Sequence, residues 1–366
     1  MSVVKQKLFD AARGLRAFLI SSPASAGRST AGTQENVSDQ AQRLEQAEQQ
    51  IEKQRDQMKK QSRELKELRA KLAESGHGTA YHGINPNHIV WILGTARTGS
   101  TWLASMMEEL EDHTVWREPY VGELFGRLYY NWVGEKHFES KHFILGRRSR
   151  ESWLKSMRSF VLNEASVRFP GVADEGYLVI REPNGSIGAP LLMEALPESR
   201  MIFLVRDPRD VIASALDAAR KGSWLYKRRI EEGAGRAKRF DMPPEVLVQS
   251  TATMYLQNVG NSKDAYEAHG GPKVLVKYED LRADTLGTMR RVYFELGIEV
   301  NEEELARAVK EHAWENVPEE EKGEGKFHRK ATPGGWREDL TPEQVETVER
   351  ITAPLLEEFY PEKGLR

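Results

Sequence analysis

The feature that most constrains the fold of this chain is a glycine-containing loop at residues 92–103, which reads ILGTARTGSTWL. The loop follows an apolar, β-branched run and leads into a helical pattern, so it joins a buried strand to a helix. Gly94 and Gly99 let the main chain approach an anion, and the first N–H groups of the helix, at Ser100 and Thr101, point toward it. A strand–loop–helix unit of this kind predicts a phosphate-binding site in an α/β domain.

The charged residue of this loop distinguishes it from the loop of ATP-binding enzymes. Ser100 stands where that loop carries lysine, and Arg97, two positions before the second glycine, supplies the permanent positive charge instead. The hydroxyls of Thr98, Ser100 and Thr101 are further hydrogen-bond donors. The missing lysine argues against a magnesium-dependent NTPase, as does the lack of a strand-terminal Asp, and we expect no metal. The alternative without function is a glycine-rich turn that binds no ligand.

The region from His88 onward predicts the fold class. Short runs rich in Val, Ile and Leu alternate there with helical patterns. Strands without polar alternation are buried on both faces, so we expect a parallel β-sheet sandwiched by helices in an α/β domain over residues 85–366. The predicted strands are residues 89–93, 177–180, 201–205 and 274–277, and the predicted helices are residues 101–110, 210–220, 286–296, 302–312 and 342–358.

Three N-terminal segments differ in composition from this domain. Residues 1–20 predict a basic amphipathic helix that contacts a membrane surface or a partner, or else a terminal helix packed on the domain. Residues 21–38, rich in Ser, Ala, Gly and Thr, predict a flexible linker. Residues 39–75 lack Gly and Pro and carry apolar residues seven apart, which predicts a coiled-coil extension that forms a parallel dimer. The alternative for this segment is a single solvated helix held by ion pairs.

Composition excludes several classes of protein. The sequence has no cysteine, which excludes disulfides, thiolate zinc sites and cysteine nucleophiles. No apolar run reaches the roughly 18 residues of a membrane span, and the N-terminus lacks a secretory apolar region. The net charge of −3 gives no overall attraction for nucleic acid. We therefore expect a cytoplasmic enzyme, peripheral to a membrane only through residues 1–20.

A second cationic element occupies residues 203–214, which read FLVRDPRDVIAS. Arg206 ends a predicted strand and therefore faces the same crevice as the glycine loop, and Ser214 lies near the first turn of the next helix. The alternative is an Arg206–Asp210 ion pair that is only structural.

A third cationic element lies at residues 328–337, HRKATPGGWR, where basic residues stand among turn-forming residues. Such a loop is typical of a lid that orders over a polyanion. The alternative is a solvated basic loop.

Together these elements resemble the sulfotransferase family that uses 3′-phosphoadenosine 5′-phosphosulfate (PAPS) as donor. Residues 96–102, ARTGSTW, match the family pattern P-[KR]-[ST]-G-[ST]-T-[WL], and Arg206 with Ser214 matches its strand-ending arginine and later serine. The family element R-K-G-x-x-G-x-W corresponds to residues 329–336, and Y-E-D-[LM] corresponds to residues 278–281. The resemblance covers roughly residues 88–340 and implies a P-loop-like sulfotransferase fold.

The resemblance also implies roles for individual residues. Arg97 and Glu118 are implied to be catalytic, with PAPS as donor co-substrate and without a metal. Main-chain N–H groups would hold the 5′-phosphate, basic residues the 3′-phosphate and aromatic residues the adenine. The residues implied to bind the donor are Thr98, Gly99, Ser100, Thr101, Trp102, Arg206, Ser214, Tyr278, Arg329 and Lys330.

The sequence departs from the family pattern at several positions. Ala96 replaces a proline, Ala331 stands where a glycine normally lets the main chain meet the 3′-phosphate, and Arg97 is typical of the carbohydrate and protein-tyrosine branches. The segment that carries the catalytic histidine of the cytosolic branch has no match. The expected base is therefore Glu118, with Glu182 as the second candidate.

The roles of these two carboxylates and of the acceptor stay open at the level of sequence. For each carboxylate the alternative is a salt bridge to the adjacent arginine, which is Arg117 for Glu118 and Arg181 for Glu182. The expected acceptor is a hydroxyl on a carbohydrate, a glycolipid or another small metabolite, and the basic residues 221–239 either guide it or form a solvated insertion. The rival functions are a P-loop-type nucleotide or small-molecule kinase, and a catalytically dead scaffold that oligomerises through residues 39–75.

Overall fold

The structure, a computed structural model, describes residues 84–131, 142–172, 176–231 and 241–361. The predicted helix, linker and coiled coil at residues 1–20, 21–38 and 39–75 lie outside the described residues, as does most of the second half of the basic segment. Within the described parts of the chain, no helix is both long and apolar enough to cross a membrane.

A parallel five-stranded sheet forms the centre of the domain. Its strand order is β2-β3-β1-β4-β5, and every neighbouring pair runs parallel. The strands are β1 Ile89–Gly94, β2 His113–Arg117, β3 Tyr177–Arg181, β4 Arg200–Val205 and β5 Lys273–Lys277. All six residues of β1 are buried, as expected for a central strand without polar alternation. The prediction of a parallel sheet sandwiched by helices is confirmed.

Helices cover both faces of this sheet. The helices of the described chain are α1 Ser100–Glu108, α2 Val121–Asn131, α3 Arg150–Arg168, α4 Ala189–Ala195, α5 Pro208–Ala218, α6 Trp224–Glu231, α7 Pro244–Ala268, α8 Tyr278–Ala283, α9 Thr285–Leu296, α10 Glu302–Glu311, α11 Trp336–Asp339 and α12 Pro342–Phe359. The side chains of β1 alternate between two cores. Trp91 and Leu93 pack with α3, α4, α7 and α12, whereas Val90 and Ile92 pack with α1, α9 and α10.

The strand order places a crevice at the edge of the sheet that is formed by the carboxyl ends of the strands. From β1 the chain moves to β2 and β3 on one side, and then to β4 and β5 on the other. Open α/β sheets bind ligands outside the carboxyl ends of their strands at such a switch point. The glycine loop after β1, Arg181 at the end of β3 and Arg206 after β4 therefore meet at this edge.

A buried histidine, His113, lies among aromatic rings at the opposite edge, where the strands begin. His113, at the start of β2, stacks on Tyr177 with ring centroids 5.2 Å apart and meets Tyr293 edge-on at 5.6 Å. Its Nδ1 is buried without a hydrogen-bond partner. Burial lowers the pKa of His113 to about 4, so the ring is neutral in the folded protein near neutral pH.

The buried His113 predicts a loss of stability in mild acid. Its pKa is about 4 when folded and about 6.5 when unfolded, so protonation of the unfolded chain destabilises the fold as pH falls from 6.5 toward 4. Between pH 7.5 and pH 5 we expect the wild type to lose on the order of 2 kcal/mol more than His113→Phe, which keeps an aromatic ring but cannot titrate. Urea unfolding at both pH values measures this difference, and equal losses would contradict it.

Candidate active site

The glycine loop has a backbone that its sequence requires. Gly94 has a φ of 149°, and a Cβ there would lie 2.1 Å from the carbonyl oxygen of Leu204. Gly99 has a φ of 89°, and a Cβ there would lie 2.7 Å from the ring of Tyr278. Each glycine thus permits an approach that a side chain would block. Between the two, Arg97 adopts a left-handed φ of 69°.

The loop leaves the amino end of α1 open to an anion. Gly99 caps the helix without a side-chain hydrogen bond, so the N–H groups of its first turn, including those of Ser100 and Thr101, lack partners inside the helix. Thr98 is fully buried, and its hydroxyl donates to the carbonyl oxygen of Thr95 at 2.8 Å. The hydroxyl hydrogen of Thr98 is therefore used inside the loop.

Three distant segments meet at Arg97. Its Nε donates to Ser214 Oγ at 3.0 Å, and its Nη2 lies 3.4 Å from the carbonyl oxygen of Phe327. Arg206 Nη1 donates to the carbonyl oxygen of Arg97 at 3.0 Å. The glycine loop, the end of β4 with α5, and residues 325–336, here called the C-terminal loop, therefore form one site.

Positive charge is concentrated at this site. Burial lowers the pKa of Arg97 to about 10, with further contributions from the positive charges of Arg206 and Arg329. The guanidinium carbon of Arg206 lies 4.2 Å from the centre of the Tyr278 ring, and its Nε is buried without a partner. Asp217 offsets part of the repulsion. Three clustered cations with an unpaired buried donor and an open helix terminus favour the binding of a polyanion.

Two carboxylates of α5 hold the C-terminal loop over the site. Asp210 accepts the N–H groups of Gly334 and Trp336 at 2.7 and 3.0 Å, and Asp217 accepts the N–H of Gly325 at 3.0 and 3.1 Å. The expected alternative of an Arg206–Asp210 ion pair does not occur, since Asp210 is used in this way. The loop is thereby fixed at both ends.

The two lid cations pair with acidic residues of α11. Arg329 Nη1 lies 2.6 Å from Asp339 Oδ2, and Lys330 Nζ lies 2.9 Å from both Asp339 Oδ1 and Glu338 Oε2. The next residue, Ala331, has a left-handed φ of 52°. An alanine thus adopts the backbone for which the family pattern carries glycine.

Trp102 and Tyr278 form an aromatic corner beside the cations. Their ring centroids are 6.3 Å apart in an edge-on arrangement, and the guanidinium carbon of Arg282 lies 5.5 Å from the Trp102 ring. The indole Nε1 of Trp102 donates to the carbonyl oxygen of His312 at 2.8 Å, which fixes the ring. A planar heterocycle can stack in such a corner.

A hydrogen-bonded cluster surrounds Glu118 at the end of β2. Its carboxylate accepts from Arg181 Nη1 at 2.8 Å and from Asn184 Nδ2 and the Tyr120 hydroxyl at 3.0 Å each. The expected salt bridge of Glu118 with the adjacent Arg117 does not occur, because Glu118 pairs with Arg181 and Arg117 pairs with Glu108. A carboxylate has about four acceptor positions, so one remains for a substrate hydroxyl. Asn184 and Tyr120 were not identified from the sequence, where neither belongs to a motif.

Glu182, the second candidate base, has a structural contact instead. It is fully buried, and its Oε1 accepts the N–H of Gly122 at 2.6 Å at the start of α2. Burial raises the pKa of Glu182 to about 8, so the group is protonated at neutral pH. A buried, protonated carboxyl cannot take a proton from a substrate at the surface, so Glu182 does not fit that role.

Backbone strain marks the same site. Four non-glycine residues of the described chain have a positive φ, and these are Arg97, Glu118, Tyr120 and Ala331. Such conformations cost energy and concentrate at functional sites. All four belong to the glycine loop, the Glu118 cluster or the C-terminal loop, a concentration that the sequence alone does not reveal.

Comparison with known proteins identifies relatives of the chain. The sequence profile of a family described as sulfotransferase domain matches residues 87–360. Cytosolic sulfotransferase 17 of Arabidopsis thaliana is 26% identical over 197 residues, which are 46% of this chain and 55% of that protein. Cytosolic sulfotransferase 12 of the same plant is 24% identical over 318 residues, 72% of this chain and 89% of that protein. The chain thus spans only about half the length of the first of these relatives.

Solved structures resemble this one as well. The crystal structure of mouse sulfotransferase SULT7A1 complexed with PAP covers 75% of this chain and 86% of its own, at 14% identity and a TM-score of 0.46. That of sulfotransferase STF9 from Mycobacterium avium covers 75% and 77%, at 16% identity and a TM-score of 0.44.

The strained Ala331 predicts a stabilising substitution. A left-handed conformation costs a non-glycine residue roughly 1–2 kcal/mol, and the greater freedom of glycine in the unfolded chain offsets only part of the relief. We expect Ala331→Gly to raise the free energy of unfolding by about 0.5–1 kcal/mol. As a control, Ala313→Gly, at an ordinary extended backbone, should lower it. Chemical denaturation measures both, and a destabilised Ala331→Gly would contradict the strain.

Proposed function

This chain belongs to the sulfotransferase family, and from that premise we propose that it moves a sulfuryl group from PAPS to an acceptor hydroxyl. One observation carries the proposal. Arg97, Arg206 and the loop that bears Arg329 converge on the open amino end of α1, although they lie far apart in the sequence. A cradle of this kind suits a ligand with phosphates at two positions.

The residues present fit such a donor. The 5′-phosphate would lie on the N–H groups of the first turn of α1, and the unpaired Nε of Arg206 is a donor ready for the 3′-phosphate. Bound PAPS would supply an activated sulfuryl group attached to a phosphate leaving group. The further residues proposed to hold it are Ser214, Arg329 and Lys330 at the 3′-phosphate, and Trp102 and Tyr278 at the adenine.

Arg97 is the proposed stabiliser of developing charge. Its guanidinium carries a fixed positive charge in a mostly buried setting, and Ser214 holds its Nε in place. A preorganised cation in a water-poor site stabilises a leaving oxygen more strongly than a solvated one. No chemical step is assigned to Thr98, whose hydroxyl is used within the loop.

Glu118 is the proposed general base. In the proposed reaction it takes the proton of the acceptor hydroxyl as that oxygen bonds to sulfur, while the bond from sulfur to the phosphate oxygen breaks. Arg181, Asn184 and Tyr120 hold the carboxylate through hydrogen bonds. With Glu182 buried and protonated, Glu118 is the better placed of the two candidates.

The proposed acceptor is a hydroxyl on a carbohydrate, a glycolipid or another small metabolite. The support is the helix α6, which carries the cations Arg228 and Arg229 in its last turn. Burial and Glu118 raise the pKa of Tyr120, and the charges of Arg229 and Arg228 partly oppose this rise. We further propose a cytoplasmic location, oligomerisation through residues 39–75, weak contact with a membrane surface through residues 1–20, and no nucleic-acid partner.

Removing the positive charge of Arg97 should impair transfer far more than exchanging Arg97 for another cation. We expect Arg97→Ala to lower turnover by roughly 10²–10³-fold, the scale for loss of one preorganised charge. Arg97→Lys, which keeps a cation, should retain more activity. The assay follows labelled PAPS with an acceptor found by screening hydroxyl compounds, and an unchanged turnover in Arg97→Ala would exclude this role.

Neutralising the proposed base tests the second part of the mechanism. Glu118→Gln keeps the shape of the side chain but cannot accept a proton, so turnover should fall by about 10²–10⁴-fold. Glu108→Gln, the same change at an exposed ion pair with Arg117, serves as the control and should have little effect. A dead scaffold would show no transfer in the wild type and no effect of Glu118→Gln.

A further inference from the structure

Two aromatic rings cover the guanidinium of Arg97. Its central carbon lies 5.5 Å from the centres of the Trp224 ring and of the Phe327 ring. The two rings meet edge-on with centroids 5.0 Å apart. We call Trp224 and Phe327 the aromatic roof. Contacts of this kind attract a cation to the face of a ring and exclude water from it.

Main-chain hydrogen bonds fix the aromatic roof to the rest of the site. The N–H of Trp224 donates to the carbonyl oxygen of Gly325 at 2.9 Å, and the N–H of Gly325 donates to the carboxylate of Asp217. The carbonyl oxygen of Phe327 faces Arg97 Nη2. The C-terminal loop and the start of α6 are therefore linked to each other and to α5.

Trp224 also connects the two halves of the proposed reaction. It is the first residue of α6, and the same helix carries Arg228 and Arg229, whose charges act on Tyr120 beside Glu118. One short helix thus carries a ring against Arg97 at its beginning and, in its last turn, two cations whose charges oppose the raised pKa of Tyr120.

We propose that Trp224 is a positioning residue that holds Arg97 under the aromatic roof and makes the placement of this cation depend on helix α6. The inference rests on the proposed function, because it assigns Trp224 a role in the same reaction. Without the indole ring, water reaches the guanidinium and the Arg97 side chain can adopt more rotamers. Its charge is then less well placed for the leaving oxygen. A phenyl ring at this position should restore most of the contact.

Chemical labelling tests the aromatic roof without an identified acceptor. The whole chain of 366 residues is treated with phenylglyoxal, and mass spectrometry follows labelling of Arg97 against that of the exposed Arg127. In the wild type we expect Arg97 to react about tenfold more slowly than Arg127, the ratio for a cover that is open about one-tenth of the time. Trp224→Ala should abolish most of this protection and Trp224→Phe should retain it. Phe294→Ala, an exposed aromatic truncation, is the control.

A second arm separates this inference from the proposed function. Adenosine 3′,5′-bisphosphate is added to Trp224→Ala, where it should protect Arg97 again if that residue lies in the donor site. Absence of this protection would contradict the proposed function but not the inference that Trp224 positions Arg97. Equal labelling of Arg97 in the wild type and in Trp224→Ala would overturn the role of Trp224. Turnover with labelled PAPS completes the test, since Trp224→Ala should lower kcat more than it raises KM, and Trp224→Phe should restore kcat.

Discussion

The structure depends on holding like charges together. Burial, with smaller contributions from the positive charges of Arg206 and Arg329, lowers the pKa of Arg97, and yet three separate segments bring these cations to one edge of the sheet. The fold resists this repulsion by rigid means. A fully buried strand precedes the glycine loop, and two carboxylates of α5 fasten the C-terminal loop through main-chain N–H groups. Folding thus assembles a positively charged binding site, and an anionic ligand would neutralise its charge.

The proposed site divides into a donor side and an acceptor side, and different forces shape them. On the donor side, cations and the open helix terminus are gathered around backbone that only glycine or a strained residue can adopt. On the acceptor side, Glu118 is held by three hydrogen bonds that leave one acceptor position. We propose that helix α6 contributes to both sides, which assigns the described part of the basic segment 221–239 to the site.

The sequence predicted the scaffold and the donor-side motifs because both are local. The unalternated run of β1 fixes a buried parallel strand, and the five predicted helices begin and end within two residues of the observed ones. Residues that meet only through packing could not be predicted. Asn184, Tyr120 and Asp339 belong to no motif, and the burial that protonates Glu182 depends on the placement of α2 over it. The long helices α3 and α7 were missed because their apolar spacing is diluted by polar residues.

In the proposed function, this cradle recognises a doubly phosphorylated adenosine by fixed cations rather than by a metal. Isothermal titration calorimetry of the full-length protein with adenosine 3′,5′-bisphosphate, with and without Mg²⁺, and with ATP–Mg²⁺, tests it most directly. We expect tight binding of the bisphosphate that Mg²⁺ does not change, and much weaker binding of ATP–Mg²⁺. Tighter binding of ATP–Mg²⁺, as a kinase requires, or binding of neither nucleotide, would contradict it.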